Sequence, residues 1–243
     1  MRAMIFAAGL GTRLNELTRD IPKALVLFKG KPLLEHLILR LISFDIRDII
    51  INVHHFPEKI ISFVKSKNSF GINISFSVED RLLDTGGGLK KAQDFFRGDE
   101  PFLVHNVDVM TSLNYFELLH EFKKERTYAA LAVRKRQTSR YLLFDDGRVL
   151  QGWESIKENK KIVPFENSGS LTRYSFMGIQ IMSPMIFNHF PEKEKFSIID
   201  VYLNIIAKGG VITGLDAGET FWFDLGTNDR IKEALLFFDK KQT

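Results

Sequence analysis

Ala-Ala-Gly-Leu-Gly-Thr-Arg-Leu-Asn-Glu-Leu-Thr-Arg-Asp-Ile-Pro-Lys-Ala-Leu, residues 7–25, overlaps the end of the apolar run Met4 to Ala8 and decides how the fold is read. The run predicts a buried strand. Gly9-Leu10-Gly11 predicts the sharp turn after it, with two positions free to take φ > 0 and aim backbone N–H groups at an anion. Thr12 and Arg13 add a hydroxyl and a guanidinium fork. After eight intervening residues Pro22 fixes the backbone just before a second cation, Lys23. Strand, glycine turn and two cations describe a phosphate cradle. Neither commoner cradle fits: position 14 is Leu where a dinucleotide fingerprint has its third Gly, and no Gly-Lys-Ser/Thr of a P-loop follows.

Outward from this loop, strand and helix signals alternate. Pro32 to Ser43 predicts a helix opened by proline, with Leu33, Leu34, Leu37, Ile38 and Leu41 on one face. Asp48 to Val53 is a strand, Glu58 to Val64 a short helix, Ile72 to Val78 an alternating strand and Leu89 to Phe96 a helix. Phe102 to Val107 is a continuous apolar strand that ends at Asp108. Repeated βα units imply an α/β, Rossmann-like three-layer fold with a mixed, mostly parallel sheet. Ligands on such sheets bind at the carboxyl ends of strands, where the Gly9 loop and Asp108 both lie.

From about residue 128 the segments are shorter and richer in strand: Tyr128 to Val133, Tyr141 to Phe144, Phe176 to Met182 and Val211 to Leu215. Asn228 to Lys240 predicts a closing helix with Ile231, Ala234, Leu235 and Phe238 facing inward. One domain over 1–243 is expected, with parts 1–127, 128–227 and the closing segment 228–243. No hexapeptide series is present, so no left-handed β-helix is expected.

Composition bounds the function. A chain of 243 residues with 44% hydrophobic content builds a core without disulfides, and the absence of cysteine excludes a thiolate metal site or nucleophile. A net charge of +4 from 34 basic and 30 acidic residues is too mild to imply nucleic acid. No signal sequence and no run of about eighteen apolar residues is visible, so a soluble cytoplasmic protein with no membrane partner is expected. The basic patch Arg134-Lys135-Arg136 with Arg140 reads as a solvated loop or as a rim that draws in anions.

Three further motifs join the loop: Asp84-Thr85-Gly86-Gly87-Gly88, His105-Asn106-Val107-Asp108, and Phe221-Trp222-Phe223-Asp224-Leu225-Gly226-Thr227. With them the chain resembles the sugar-1-phosphate nucleotidyltransferases, or nucleoside-diphosphate-sugar pyrophosphorylases. Its size and Asp-Thr-Gly-Gly-Gly form look most like the small branch that includes N-acetylmuramate-1-phosphate uridylyltransferase and mannose-1-phosphate guanylyltransferase.

The resemblance implies an enzyme that takes an NTP and a sugar 1-phosphate and releases pyrophosphate, working with Mg2+ as a monomer or homodimer. Gly9, Gly11, Thr12, Arg13 and Lys23 would hold the triphosphate, and Ala7 and Ala8 would meet the base through their backbone. Thr85, Gly86 and Gly87 would close over the base, with backbone amides reading its edge. Asn106 joins the nucleotide set, and Asp108 and Asp224 would hold the metal. Physical chemistry assigns Lys23 and Arg13 the catalytic work: a mobile point charge for the α-phosphate and a planar fork for the β- and γ-phosphates.

On the acceptor side, Tyr141, Glu154 and Gly178 fall near the family's contact positions. The family's Glu-Lys-Pro element corresponds to Trp153-Glu154-Ser155, where the lysine is missing; Arg140 or a lysine from Lys157 to Lys161 is a candidate replacement. Two other readings stay open: a phosphocholine cytidylyltransferase, for which Trp153-Glu154 and the 221–223 aromatics would form a cage, and a catalytically silent subunit that binds nucleotide sugar. His54-His55 has no third ligand at useful spacing and reads as a loop at a strand end.

Overall fold

The alternating apolar and amphipathic stretches fold as an α/β protein. This computed structural model describes residues 1–124, 127–165 and 169–240. In chain order the first elements are β1 (Ala3–Phe6), β2 (Leu27–Phe28), β3 (Lys31–Pro32), α1 (Leu33–Ser43), β4 (Asp48–Val53), α2 (Pro57–Ser66), β5 (Asn73–Val78) and α3 (Asp84–Lys91). There follow β6 (Phe102–Asn106), β7 (Val109–Thr111), α4 (Tyr115–Lys123), β8 (Thr127–Arg134), β9 (Arg140–Phe144), β10 (Leu150–Ser155) and β11 (Lys160–Ile162). The last are β12 (Thr172–Met182), α5 (Ile198–Ala207), β13 (Val211–Asp216), β14 (Trp222–Asp224) and α6 (Asn228–Lys240). Of the closing segment expected at 228–243, residues 241–243 lie outside the described residues.

Two units are distinguished by their internal contacts. The first comprises Met1–Leu82, His105–Ser112 and Phe221–Thr243. In it β4 pairs in parallel with both β1 and β5, and the Val107 N–H donates to the Phe6 carbonyl at 3.1 Å where β6 ends. Helix α1 starts where Pro32, held at φ −56°, can no longer extend a strand, and it buries Leu33, Leu34, Leu37, Ile38 and Leu41 at helical spacing. Strands β7 and β14 pair antiparallel, with Val109 opposite Asp224. Helix α6 buries Ala234 and lays Ile231, Leu235, Phe237 and Phe238 on a cluster of Leu14, Val26, Phe28, Phe223 and Leu225.

The second unit comprises Leu83–Val104 and Leu113–Thr220. Its β8 lies between a parallel β13 and an antiparallel β12, and β12, β9, β10 and β11 continue antiparallel. Strand pairing is therefore parallel in the first unit and largely antiparallel in this one.

Helices α4 and α5 were not anticipated, although each carries a legible start. Asn114 accepts the Phe116 N–H and Ser197 accepts the Ile199 N–H, as N-cap side chains do. Helix α3 also begins earlier than Leu89: it opens at Asp84, runs through the three glycines, and stops at Lys91 before a separate turn Gln93–Phe96. Three glycines in a helix are costly at about 1 kcal/mol each. Close packing against residues 194–196 accounts for two of them, Gly86 and Gly87. Among the described residues no helix is long and apolar enough to cross a membrane.

Candidate active site

Strand β1 is fully buried at Ala3, Met4 and Ile5, and it stops at Phe6 rather than Ala8. The Ala7 N–H leaves the sheet and donates to Oδ1 of Asn52 at 2.8 Å, while Nδ2 of Asn52 donates to Glu79 at 2.7 Å. Both ends of the Asn52 amide are thus used, so the exit of the chain into the loop has one direction. Gly11 takes φ 69° and a β-carbon there would come within 2.8 Å of Thr18, whose hydroxyl donates to the Gly11 carbonyl at 3.0 Å. Gly9 does not share this conformation. The turn uses one positive-φ glycine where the sequence suggested two, and a β-carbon on Gly9 would meet nothing within 4 Å.

After Gly11 the chain winds through a 3-10 segment, Thr12–Thr18, in which Leu14 is buried while Thr12 and Arg13 are exposed. One buried leucine anchors the loop and leaves its polar side outward. Pro22 then holds an extended conformation, and Lys23 opens the next turn with Ala24 buried behind it.

The ammonium of Lys23 pairs with the Asp108 carboxylate, both side chains being nearly buried. Asp108 sits between β6 and β7, and its carbonyl accepts the Leu225 N–H at 2.8 Å. The β7–β14 ladder therefore brings Asp224 beside it. Burial pushes the Asp224 carboxyl above the usual carboxylate range, and the Asp108 charge pushes the same way. Lys23, the Gly226 N–H at 2.9 Å and Arg13 oppose the shift. Asp224 keeps its place because Phe223 and Leu225 on either side are buried in the cluster under α6.

Gly226, so far only a member of the motif Phe221 to Thr227, belongs to the same candidate site. A β-carbon there would lie 2.7 Å from Arg13 Nη2, 2.7 Å from Asp224 Oδ1 and 3.0 Å from Lys23 Nζ. The signal available was its place two residues after Asp224. What the sequence did not show is that two cations 13 and 23 residues into the chain pack around it.

Two neighbouring carboxylates, Asp108 and Asp224, are hard oxygen donors of the kind Mg2+ accepts, with phosphate oxygens and water completing its shell. Among the described residues no cluster of three or more His, Cys, Asp or Glu offers a closed protein cage. The donor set fits a cation shared with a substrate. His54 and His55 do not compete for it: Nδ1 of His54 lies 2.7 Å from the Glu79 carbonyl, and His55 packs on Phe56.

Asn106 ends β6 in the first unit, with its carbonyl 2.8 Å from Nδ1 of His105, whereas Thr85, Gly86, Gly87, Tyr141, Glu154 and Gly178 lie in the second unit. The N–H groups of Gly86 and Gly87 both donate to the Phe196 carbonyl, at 3.0 and 3.2 Å. β-Carbons there would stand 2.4 Å from the Phe196 ring and 2.1 Å from the Glu194 carbonyl oxygen. Close packing of α3 on residues 194–196 therefore requires these glycines, and their amides are engaged within the protein. Thr85 accepts the Ile198 N–H at 3.0 Å and belongs to the same junction.

Tyr141 and Glu154 are cross-strand neighbours on β9 and β10. Arg173 grips both Glu154 oxygens, with Nη2 at 2.8 Å and Nε at 2.5 Å, and its guanidinium lies 5.6 Å from the Tyr141 ring centroid. These hydrogen bonds hold the Glu154 carboxyl below the usual carboxylate range against the opposing effect of burial. Gly178 takes φ 78° where β12 loses register with β8, which is a bulge that favours glycine. In the basic patch Arg134 donates to Gly218, Lys135 lies over Tyr174, and Arg140 pairs with Glu158.

The family model described as Nucleotidyl transferase matches residues 2–241. Mannose-1-phosphate guanyltransferase of Aspergillus oryzae is 32% identical over 231 residues, 93% of this chain and 61% of its own. N-acetylmuramate alpha-1-phosphate uridylyltransferase of Caulobacter vibrioides is 29% identical over 232 residues, 92% of this chain and 91% of its own. The structure of HddC from Yersinia pseudotuberculosis complexed with GMP-PN superposes with a TM-score of 0.76 at 23% identity, covering 98% of this chain and 99% of that one. The chain spans about three fifths of the length of the Aspergillus guanyltransferase. It belongs to the nucleotidyl transferase family.

Proposed function

We propose that this member of the nucleotidyl transferase family moves the nucleoside monophosphate unit of an NTP onto a sugar 1-phosphate. The observation that carries the reading is the convergence of Arg13, Lys23 and Asp224 on Gly226, with Asp108 paired to Lys23. A phosphate oxygen of the acceptor bonds to the α-phosphorus while the bond from that phosphorus to the β-bridging oxygen breaks, and pyrophosphate leaves. Two polyanions have to meet, so the protein contributes positioning and charge rather than a nucleophile.

In this reading the Arg13 fork takes the β- and γ-phosphates, and Lys23 meets the α-phosphate where negative charge builds. Asp108 and Asp224 would hold Mg2+, which when bound neutralises phosphate oxygens. Gly9, Gly11 and Thr12 face the triphosphate, and Ala7, Ala8 and Asn106 line the nucleoside. Thr85, Gly86 and Gly87 enter the nucleotide set as a contact surface, since the two glycine amides are already held by Phe196. Tyr141, Glu154 and Gly178 belong to the acceptor side, and the reaction is placed in the cytoplasm.

Two observations favour a sugar phosphate over phosphocholine. Arg173 already neutralises Glu154, the carboxylate a quaternary ammonium would need, and Phe221 and Phe223 pack against Phe237 and Phe238 rather than forming a cage. A matrix of NTPs against sugar 1-phosphates and phosphocholine, read by pyrophosphate release with and without Mg2+, tests the reading. Release with a sugar 1-phosphate supports it; release with phosphocholine alone, or with no pair at all, overturns it.

A further inference from the structure

The acceptor side of this chain lacks the lysine of the Glu-Lys-Pro element, and the structure shows why the same position is a poor place to look for its substitute. Successive side chains of a strand point to opposite faces. Glu154 projects to one face of β10, and Ser155 projects to the other, where it is 1% exposed and its hydroxyl accepts the Glu158 N–H at 3.2 Å. A cation that shares a ligand with Glu154 has to come from a neighbouring strand.

The register supplies it. Glu154 stands opposite Tyr141 on β9 and Lys161 on β11. Arg173 on β12 stands opposite Leu143, two residues from Tyr141, and so reaches the same face. Arg140 is otherwise engaged, with Glu158 at 3.4 Å. Arg173 differs from it in geometry: one edge of the guanidinium is docked on Glu154, and its Cζ lies over the Tyr141 ring at 5.6 Å from the centroid.

Glu154 takes one N–H from Nε and one from Nη2, which leaves three of the five guanidinium donors. The Arg173 side chain is 55% exposed, whereas Glu154 is 13% exposed. The arrangement therefore presents a fixed, partly solvated set of donors next to carboxylate lone pairs, and Lys161 raises the local charge to a net +1 from two cations and one anion.

We infer that Arg173 is the acceptor-phosphate cation of this chain, with Glu154 holding its fork and turning its own remaining lone pairs to the hydroxyls of the same ligand. The ligand class is a phosphate monoester carried on a polyol. The inference rests on the proposed nucleotidyl transfer and adds the residue that selects the acceptor.

The test compares wild type, Arg173→Ala, Arg173→Lys and Arg140→Ala with NTP and either mannose 1-phosphate, glucose 1-phosphate or N-acetylmuramate 1-phosphate, whichever the wild type uses. Arg173→Ala is expected to raise the acceptor KM about 10- to 100-fold, the loss of charge-assisted hydrogen bonds, with the NTP KM unchanged. Arg173→Lys, which keeps the charge without the fork, recovers part of that loss, and Arg140→Ala changes neither constant. A merely structural ion pair would lower the unfolding temperature without separating the two KM values, and that result overturns the inference. Should Arg173→Ala fail to fold, Arg173→Lys carries the comparison. A wild type silent with every acceptor sinks the functional reading instead, so the two failures are told apart.

Discussion

A β-carbon on Gly226 would stand 2.7 Å from Nη2 of Arg13, so this glycine lets a fork from the first loop reach the carboxylate end of β14. The atoms in the way are the ends of Arg13, Lys23 and Asp224 rather than backbone. Gly226→Ala is therefore expected to fold with an unfolding midpoint close to wild type while turnover drops at least about tenfold, since displacing a charged end by an ångström costs rate more than stability. Circular dichroism melts beside steady-state pyrophosphate release check this. A large loss of stability with turnover retained would mean that the glycine serves the turn alone.

Lys23 and Asp108 join positions 85 residues apart in one ion pair. Lys23→Ala removes the positive charge and Asp108→Asn the negative one. Each is expected to lower kcat about 100- to 1000-fold, the range found when a transition-state donor is lost. Neither packs a core, so both variants should remain folded. Unfolding together with the loss of activity would reassign the pair to structure.

Gly87 and Gly9 should respond in opposite ways to the same substitution. Gly87→Ala drives a β-carbon to 2.1 Å from the Glu194 carbonyl oxygen, a backbone atom that cannot swing aside. A loss of about 1–3 kcal/mol in unfolding free energy is expected from overpacking. Gly9→Ala meets nothing within 4 Å and should leave stability unchanged or slightly raised. If phosphate approaches the backbone there, Gly9→Ala raises the NTP KM. An unchanged KM would remove Gly9 from the site.

His105 is fully buried, and burial lowers its pKa from 6.5 to about 4, with the Arg40 charge acting in the same direction against the hydrogen bond to the Asn106 carbonyl. The unfolded chain binds a proton near pH 6.5 that the folded chain refuses until about pH 4. Stability from this group is complete above pH 6.5, falls as the pH drops from 6.5 to 4, and is flat below. The total is on the order of 3 kcal/mol. Urea midpoints at pH 7, 6, 5 and 4 should fall more steeply for wild type than for His105→Gln. Parallel profiles would show that acid sensitivity comes from the carboxylates.

Local sequence determined the elements of the first unit. The first strand, expected over Met4 to Ala8 and found at Ala3–Phe6, was legible in kind though not in its end, and the leucine face of α1, the strand Asp48–Val53 and the closing helix Asn228–Lys240 were legible because each has one periodicity and clear stops. The glycine loop, the two cations and the motif aspartates were legible for the same reason: chemistry at short spacing leaves a pattern. Tertiary structure decided what lay between strands. Only the β7–β14 ladder brings Asp224 to Asp108, and only the packing of α3 on residues 194–196 explains Gly86 and Gly87. Arg173 was invisible as a partner of Glu154 because 19 residues and a change of strand separate them. A one-dimensional pattern records spacing along one strand or helix. The contacts that aim these groups are made across strands, and their register comes from the folded sheet.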